Sequence, residues 1–321
     1  MEQRKSKGYL SRLLIGALIV IVGWTLWQGK GAVASSGVGL PGAPDGQVAR
    51  PYPLFSIAGD SQGEFKRPLA VIEGPDNAIY VADSGQGSIR VFDVTGMPLR
   101  SFGADPDDQG RVSYPLGLAF DDQGALYVAD STQEVVRKYN QQGEYLGTFG
   151  QGIKRPGGVF FRDGRFFIND LDLHQVLALN RAGQVDRVIG EGRGTKPGQL
   201  SYPNATWADA EGNVYVSDSN NNRVQVFASD GALQQVIRES SLGIPVELPR
   251  GLAMDWLGRL HVVSAFGHRV EVYDSAGKPL FAYGGSGELE GQLGLPNGIF
   301  ISKNRIYIAE TGNRRVQVWG Y

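Results

Sequence analysis

Hydrophobic and polar residues alternate in short runs along most of this chain, and the clearest runs lie between Tyr202 and Gln235. Asn213-Val214-Tyr215-Val216-Ser217-Asp218 follows a Glu211-Gly212 turn, and Arg223-Val224-Gln225-Val226-Phe227 leads to a second turn at Ser229-Asp230-Gly231. A period of two, broken by Gly, Asn or Asp, predicts strand, hairpin, strand, loop, strand, hairpin, strand.

The pattern restarts at Pro68, Pro115, Pro156, Pro203, Pro249 and Pro296, at steps of 47, 41, 47, 46 and 47 residues. The second strand recurs as Ile79 to Asp83, Leu126 to Asp130, Phe166 to Asp170, Val214 to Asp218, Leu260 to Ser264 and Ile306 to Glu310. The third carries an aromatic residue or Leu near its end: Phe92, Tyr139, Leu179, Phe227, Tyr273 and Trp319. A period in the forties with several short strands per unit predicts propeller blades. The sixth copy stops after its third strand, and the apolar run Leu54 to Ala58, which precedes Pro68, has no blade of its own. Pairing the two leaves no open edge. The expected fold is therefore an all-β, six-bladed β-propeller with four antiparallel strands per blade, closed by an N-terminal strand and preceded by one N-terminal hydrophobic helix.

Pro203, Tyr215-Val216-Ser217-Asp218-Ser219 and Asn221-Asn222-Arg223-Val224-Gln225-Val226-Phe227 resemble the NHL repeat, and Asn313 to Val318 nearly as well. The resemblance spans roughly residues 52 to 321 and also implies six blades. Ser88, Val135 and Gln175 stand where the family's arginine would be, and Ser264 replaces its acid.

The N-terminus pairs a basic flank (Arg4, Lys5, Lys7, Arg12) with an uncharged run from Leu13 to Trp27. That layout predicts membrane insertion with the N-terminus in the cytoplasm and the rest outside. The run is shorter than the roughly 20 residues that usually span, although Trp24 and Trp27 suit a retained interfacial belt. Ala32-Val33-Ala34 has the form of a cleavage site, so secreted or periplasmic release after export is the alternative. The expected domains are an anchor or signal segment at 1–30, a flexible Gly/Ala/Ser/Pro-rich linker at 31–51 and the propeller at 52–321.

Composition agrees: 46 Gly and 41% hydrophobic residues in 321 favour many short strands. Without the first 30 residues the chain holds 26 basic and 32 acidic side chains and no run of like charge, which argues against a nucleic-acid partner. With no cysteine there are no disulfides or thiolate metal sites. No Gly-x-Ser-x-Gly, P-loop or His-Glu-x-x-His sequence occurs.

In such a blade the start of the first strand and the end of the second share one face with the loops between blades. That face gathers Asn204, Arg250 and Asn297 at the starts of blades four to six, against Leu69, Leu116 and Gly157 in blades one to three. A polar arc facing an apolar one is a candidate ligand seat, with Asp170, Asp218 and Glu310 set behind it. An Asp after a strand also commonly hydrogen-bonds its own turn. Arg223, Arg269 and Arg315 recur at one repeat position, for a bond between blades or a salt bridge to a nearby acid. His174, His261 and His268 invite a zinc reading by resemblance to propeller lyases, but their spacing through blades three and five predicts scatter rather than convergence. Asn204 and Asn297 resemble the metal-binding asparagines of gluconolactonase-like propellers, whose oxygen ligands suit calcium.

The expectation is a membrane-tethered, extracytoplasmic scaffold that binds a protein or small ligand on its loop-bearing face. It uses no cofactor and does no chemistry. The alternative is a calcium-dependent lactonase-like hydrolase at the channel mouth.

Overall fold

Alternation along each run becomes a sheet with two buried faces, because every blade is packed between two others. Blade four shows the unit: Pro203–Ala208, Val214–Asp218, Arg223–Phe227 and Leu233–Ile237 pair antiparallel in chain order, from the channel outward. The computed structural model describes residues 49–321 and contains six such four-stranded sheets among them. The apolar run Leu13 to Trp27 and most of the linker lie outside the described residues. Among the described residues no helix is long and apolar enough to cross a membrane.

The sixth sheet combines Pro296–Ser302, Arg305–Glu310 and Arg315–Gly320 with the N-terminal strand Tyr52–Ile57. Phe55 pairs with Val318 and Ile57 with Val316, so the ring is closed by joining the two ends of the propeller, as the missing fourth strand requires. The strand starts two residues before the apolar run because Tyr52 and Pro53 still find partners in Gly320 and Trp319. A small hairpin, Gly59–Asp60 with Gly63–Glu64, was not legible as alternation because each arm is two residues long.

Apolar side chains fill the wedges between sheets. Tyr80 of blade one meets Phe120 of blade two edge-on at 5.0 Å, and Phe160 of blade three meets Trp207 of blade four at 6.2 Å. Nearer the axis the sheets converge until backbone touches backbone. A Cβ on Gly251 would come within 2.7 Å of the Asn297 carbonyl oxygen, and one on Gly298 within 2.7 Å of Leu69 O. This explains the Pro-x-Gly start of several blades: the glycine permits the approach, and the residue before it, among them Leu116, Arg250 and Asn297, lines the channel.

Deleting residues 51–60 removes the closing strand, exposes the edge of Arg315–Gly320 and strips Phe55 and Ile57 from the core between blades six and one. The truncated domain is expected to melt well below the intact one in a thermal denaturation experiment; an unchanged midpoint would contradict closure by this strand.

Candidate functional site

The face bearing the channel mouth is built on a buried carboxylate at the end of the second strand in five of the six blades. Asp83, Asp130 and Asp170 each accept hydrogen bonds from two successive N–H groups of the segment before the blade's proline. Asp83 takes those of Lys66 and Arg67 at 3.1 and 2.8 Å, and Asp130 takes those of Ser113 and Tyr114 at 2.7 and 3.0 Å. In blades four and six the acid takes only the first of the two, Ser201 N–H by Asp218 and Gly294 N–H by Glu310. The second N–H, on Tyr202, Leu248 or Leu295, is accepted by a side chain of the preceding blade: His174 Nδ1 at 3.0 Å, Asn222 Oδ1 at 2.9 Å and His268 Nδ1 at 3.2 Å. These three pre-proline residues hold φ near +50°, an unfavourable region for a side chain, and the bond between blades secures them there.

His174 and His268 are therefore straps at equivalent repeat positions. Their shared spacing in the repeat was the available signal. His261 is instead fully enclosed on the opposite face, where Nδ1 meets the Tyr283 hydroxyl at 3.1 Å and Nε2 meets Asp255 Oδ2 at 3.2 Å and the Tyr321 hydroxyl at 3.0 Å. Tyr321, beyond the last strand of blade six, covers it. No group of three His, Asp or Glu side chains suited to a metal ion occurs among the described residues.

The recurring arginines complete the same buried framework. Arg223 Nε donates to Asp218 at 2.6 Å, while its other nitrogens reach the carbonyls of Thr195, Lys196 and Gln199. Arg315 repeats this with Glu310 at 2.8 Å and the carbonyls of Glu288, Leu289 and Gln292. Where Ser88 and Val135 replace the arginine, Arg90 and Arg137, two residues on and on the same strand face, point at Asp83 (3.4 Å) and Asp130 (3.9 Å). Blade five inverts the arrangement: Ser264 takes the acid's place, and Glu271 supplies the carboxylate to Arg269 at 2.5 Å. Burial raises the Glu310 pKa, with Arg315, Gly294 N–H and Asn313 acting against that rise.

Asp170, Asp218 and Glu310 are thus buried fasteners that do not reach the cavity, whereas Asn204, Arg250 and Asn297 line it. That cavity runs along the channel, occupies about 1020 Å³, and has Leu69, Leu116 and Gly157 on its opposite side. Asn204 donates to Tyr202 O and Ser219 Oγ, and its Oδ1 accepts from Arg250 Nη1 at 2.5 Å. Asn297 donates to Leu295 O and Thr311 Oγ1. No carboxylate pairs with Arg250 among the described residues, and burial depresses its pKa. Sequence reasoning missed Leu171 and Phe266 on the rim. Leu171 directly follows the buried acid of its blade, at the position of Ser219 and Thr311, so its repeat position was the missed signal.

An NHL repeat family model matches residues 200–227, the stretch that states the repeat most completely. An NHL repeat match thus lies in blade four of a six-bladed β-propeller. A streptogramin B lyase structure is similar at 14% identity and TM-score 0.59, covering 84% of this chain and 96% of that one. Catalytically inactive virginiamycin B lyase from Staphylococcus aureus, solved with quinupristin, is similar at 11% identity and TM-score 0.60, over 83% and 98%. A protein of unknown function from Bacteroides thetaiotaomicron is similar at 17% identity and TM-score 0.62, over 82% and 71%. No curated protein matches the chain by sequence. At these identities the likeness shows the ring and no particular activity. It nevertheless corrects the expectation that this propeller does no chemistry, since that expectation rested on the scaffold and proteins with the same ring are lyases.

Burial holds the His261 imidazole neutral, its pKa below the ordinary value of about 6.5. Below that pH the unfolded chain binds a proton that the folded one refuses, so stability is fully present above pH about 6.5 and falls as the pH drops. For one such group the slope approaches about 1.4 kcal/mol per pH unit. His261→Gln is expected to flatten this dependence between about pH 6.5 and 5 in urea titrations; an unchanged slope would refute it.

Proposed function

We propose that this propeller binds a small organic ligand in the channel mouth, and that the N-terminal apolar run tethers it to a membrane with the propeller on the extracytoplasmic side. The observation that carries the binding site is the cavity of about 1020 Å³ with Asn204, Arg250 and Asn297 facing Leu69 and Leu116. Volume and mixed lining suit a small molecule, which concave sites enclose, better than a protein surface. Binding is the first step whether the ligand is then released or turned over, and the proposal concerns that step.

The calcium-dependent hydrolase is less well supported. Asn204 Oδ1, the oxygen a cation would need, already accepts from Arg250, and a guanidinium in that place repels calcium. For the tether, the support is the basic flank from Arg4 to Arg12 ahead of the uncharged run Leu13 to Trp27.

A fragment library screened by ligand-observed NMR tests the binding site. Leu116→Trp, which fills the apolar side of the cavity, is expected to weaken most hits by about tenfold while the protein still melts cooperatively. Hits that ignore this substitution would place binding elsewhere. For the tether, the full-length chain is expected to sediment with membranes and its propeller to be digested by protease added outside. A soluble product beginning after Ala34 would replace the tether with an export signal, and a soluble full-length chain would overturn both.

A further inference from the structure

The charges around the cavity speak to the class of ligand, an inference that rests on reading the cavity as a binding site. Three arginines line it. Arg155 is paired with Asp172 at 2.9 Å. Arg67 spends Nη1 on the Tyr114 hydroxyl at 2.9 Å, and Arg250 spends Nη1 on Asn204 Oδ1; neither meets a carboxylate at salt-bridge distance among the described residues.

Arg250 is the more demanding of the two. It stands between Pro249, which fixes the backbone, and Gly251, which lies against the Asn297 carbonyl, so its Cα cannot shift to carry the side chain outward. Its Nε is enclosed without a hydrogen-bond partner among the described residues. Burial lowers its pKa, yet a guanidinium remains charged at any physiological pH. A largely desolvated cation with no counter-ion is unfavourable, and an anion in the adjoining cavity would offset that cost. Elsewhere in this propeller the buried arginines have one: Arg90, Arg223 and Arg315 each face an acid.

The acids that line the cavity do not serve Arg250. Glu73 and Asp121 lie at the far ends of the first strands of blades one and two, about 16 Å along the channel from the prolines that open them. Both are engaged there, Glu73 with the Tyr307 hydroxyl at 2.7 Å and Asp121 with the N–H groups of Gln123 and Ala125. Asp121 is also paired with Lys138 at 3.8 Å, so the positive charge without a carboxylate partner stands at the mouth, which favours an anion near Arg250. Between the two, Leu69, Leu116 and Leu171 offer a wall without hydrogen-bonding groups.

We infer that the ligand is an organic carboxylate with an apolar body, its two oxygens against the Arg250 guanidinium and its body along the leucine side of the channel. Asn204 fixes the plane of the guanidinium, and the planar carboxylate matches it.

The test uses octanoate, octanamide and octylammonium, which share one apolar body and differ in charge, titrated calorimetrically into the propeller at neutral pH and low ionic strength. Octanoate is expected to bind about tenfold more tightly than octanamide, octylammonium still more weakly, and the preference is expected to shrink with added salt. Arg250→Gln is expected to abolish the preference, and Arg250→Lys to restore part of it; cooperative melting of both variants excludes misfolding as the cause. If the three probes bind alike, or if Arg250→Gln leaves octanoate affinity intact, the carboxylate inference fails while the cavity remains the binding site. If Leu116→Trp also leaves all binding unchanged, the site itself is misplaced and both readings fail.

Discussion

The fold rests on a buried ion pair that recurs around the ring: a carboxylate behind the channel mouth, an arginine against it, and the backbone of the preceding loop fastened to both. In blade four Asp218 and Arg223 are fully enclosed, and between them they hold Ser201, Thr195, Lys196 and Gln199. Enclosed charges of this kind are costly when single, and removing one partner of such a pair typically costs about 3–5 kcal/mol. Blade three holds Asp170 with backbone N–H groups and has Gln175 in the arginine's place; in the other five blades what is held constant is charge balance rather than residue type. Blade five keeps it by exchanging Asp for Ser264 and placing Glu271 beside Arg269, and blades one and two keep it by moving the arginine two positions along the strand.

This constraint shapes the mouth as well as the core. Because the carboxylates are consumed by backbone N–H groups and arginines, they are withdrawn from the channel, and chemistry there is left to the residue after the proline at the start of each blade. A sixfold scaffold then acquires a polarised site through six equivalent positions occupied by different side chains. The two halves of the ring differ in fastening too. Blades one to three hold both N–H groups of the opening segment with their own acid, whereas blades four to six pass the second to His174, Asn222 or His268 of the blade before. The polar arc of the mouth coincides with the half in which neighbouring blades are strapped together.

Arg250 stands out against that background, since the buried arginines of the acid pairs are neutralised and it is not. Among the described residues its side chain bonds the neutral Asn204 and no carboxylate. The lyases that share the ring show that such propellers host chemistry as well as binding. The groups that distinguish this mouth are the Arg250 guanidinium and the amides of Asn204 and Asn297 opposite leucines.

The sequence alone determined the strands, the number of blades, the closure by the run from Leu54 to Ala58 and the division of the mouth into Asn204, Arg250 and Asn297 against Leu69 and Leu116. All of these are local or periodic: alternation reports which face of a strand is buried, and the repeat aligns equivalent positions without knowledge of their neighbours. Tertiary structure alone decided which polar groups were already spoken for. Asp170, Asp218 and Glu310 were expected behind the seat and turn out to be enclosed by N–H groups from segments about sixteen residues away, while His261 is covered by Tyr321 from the next blade. A side chain's partner depends on how far sheets twist and how closely backbones approach, as at Gly251 and Gly298, and neither distance is written in the periodicity of a single strand.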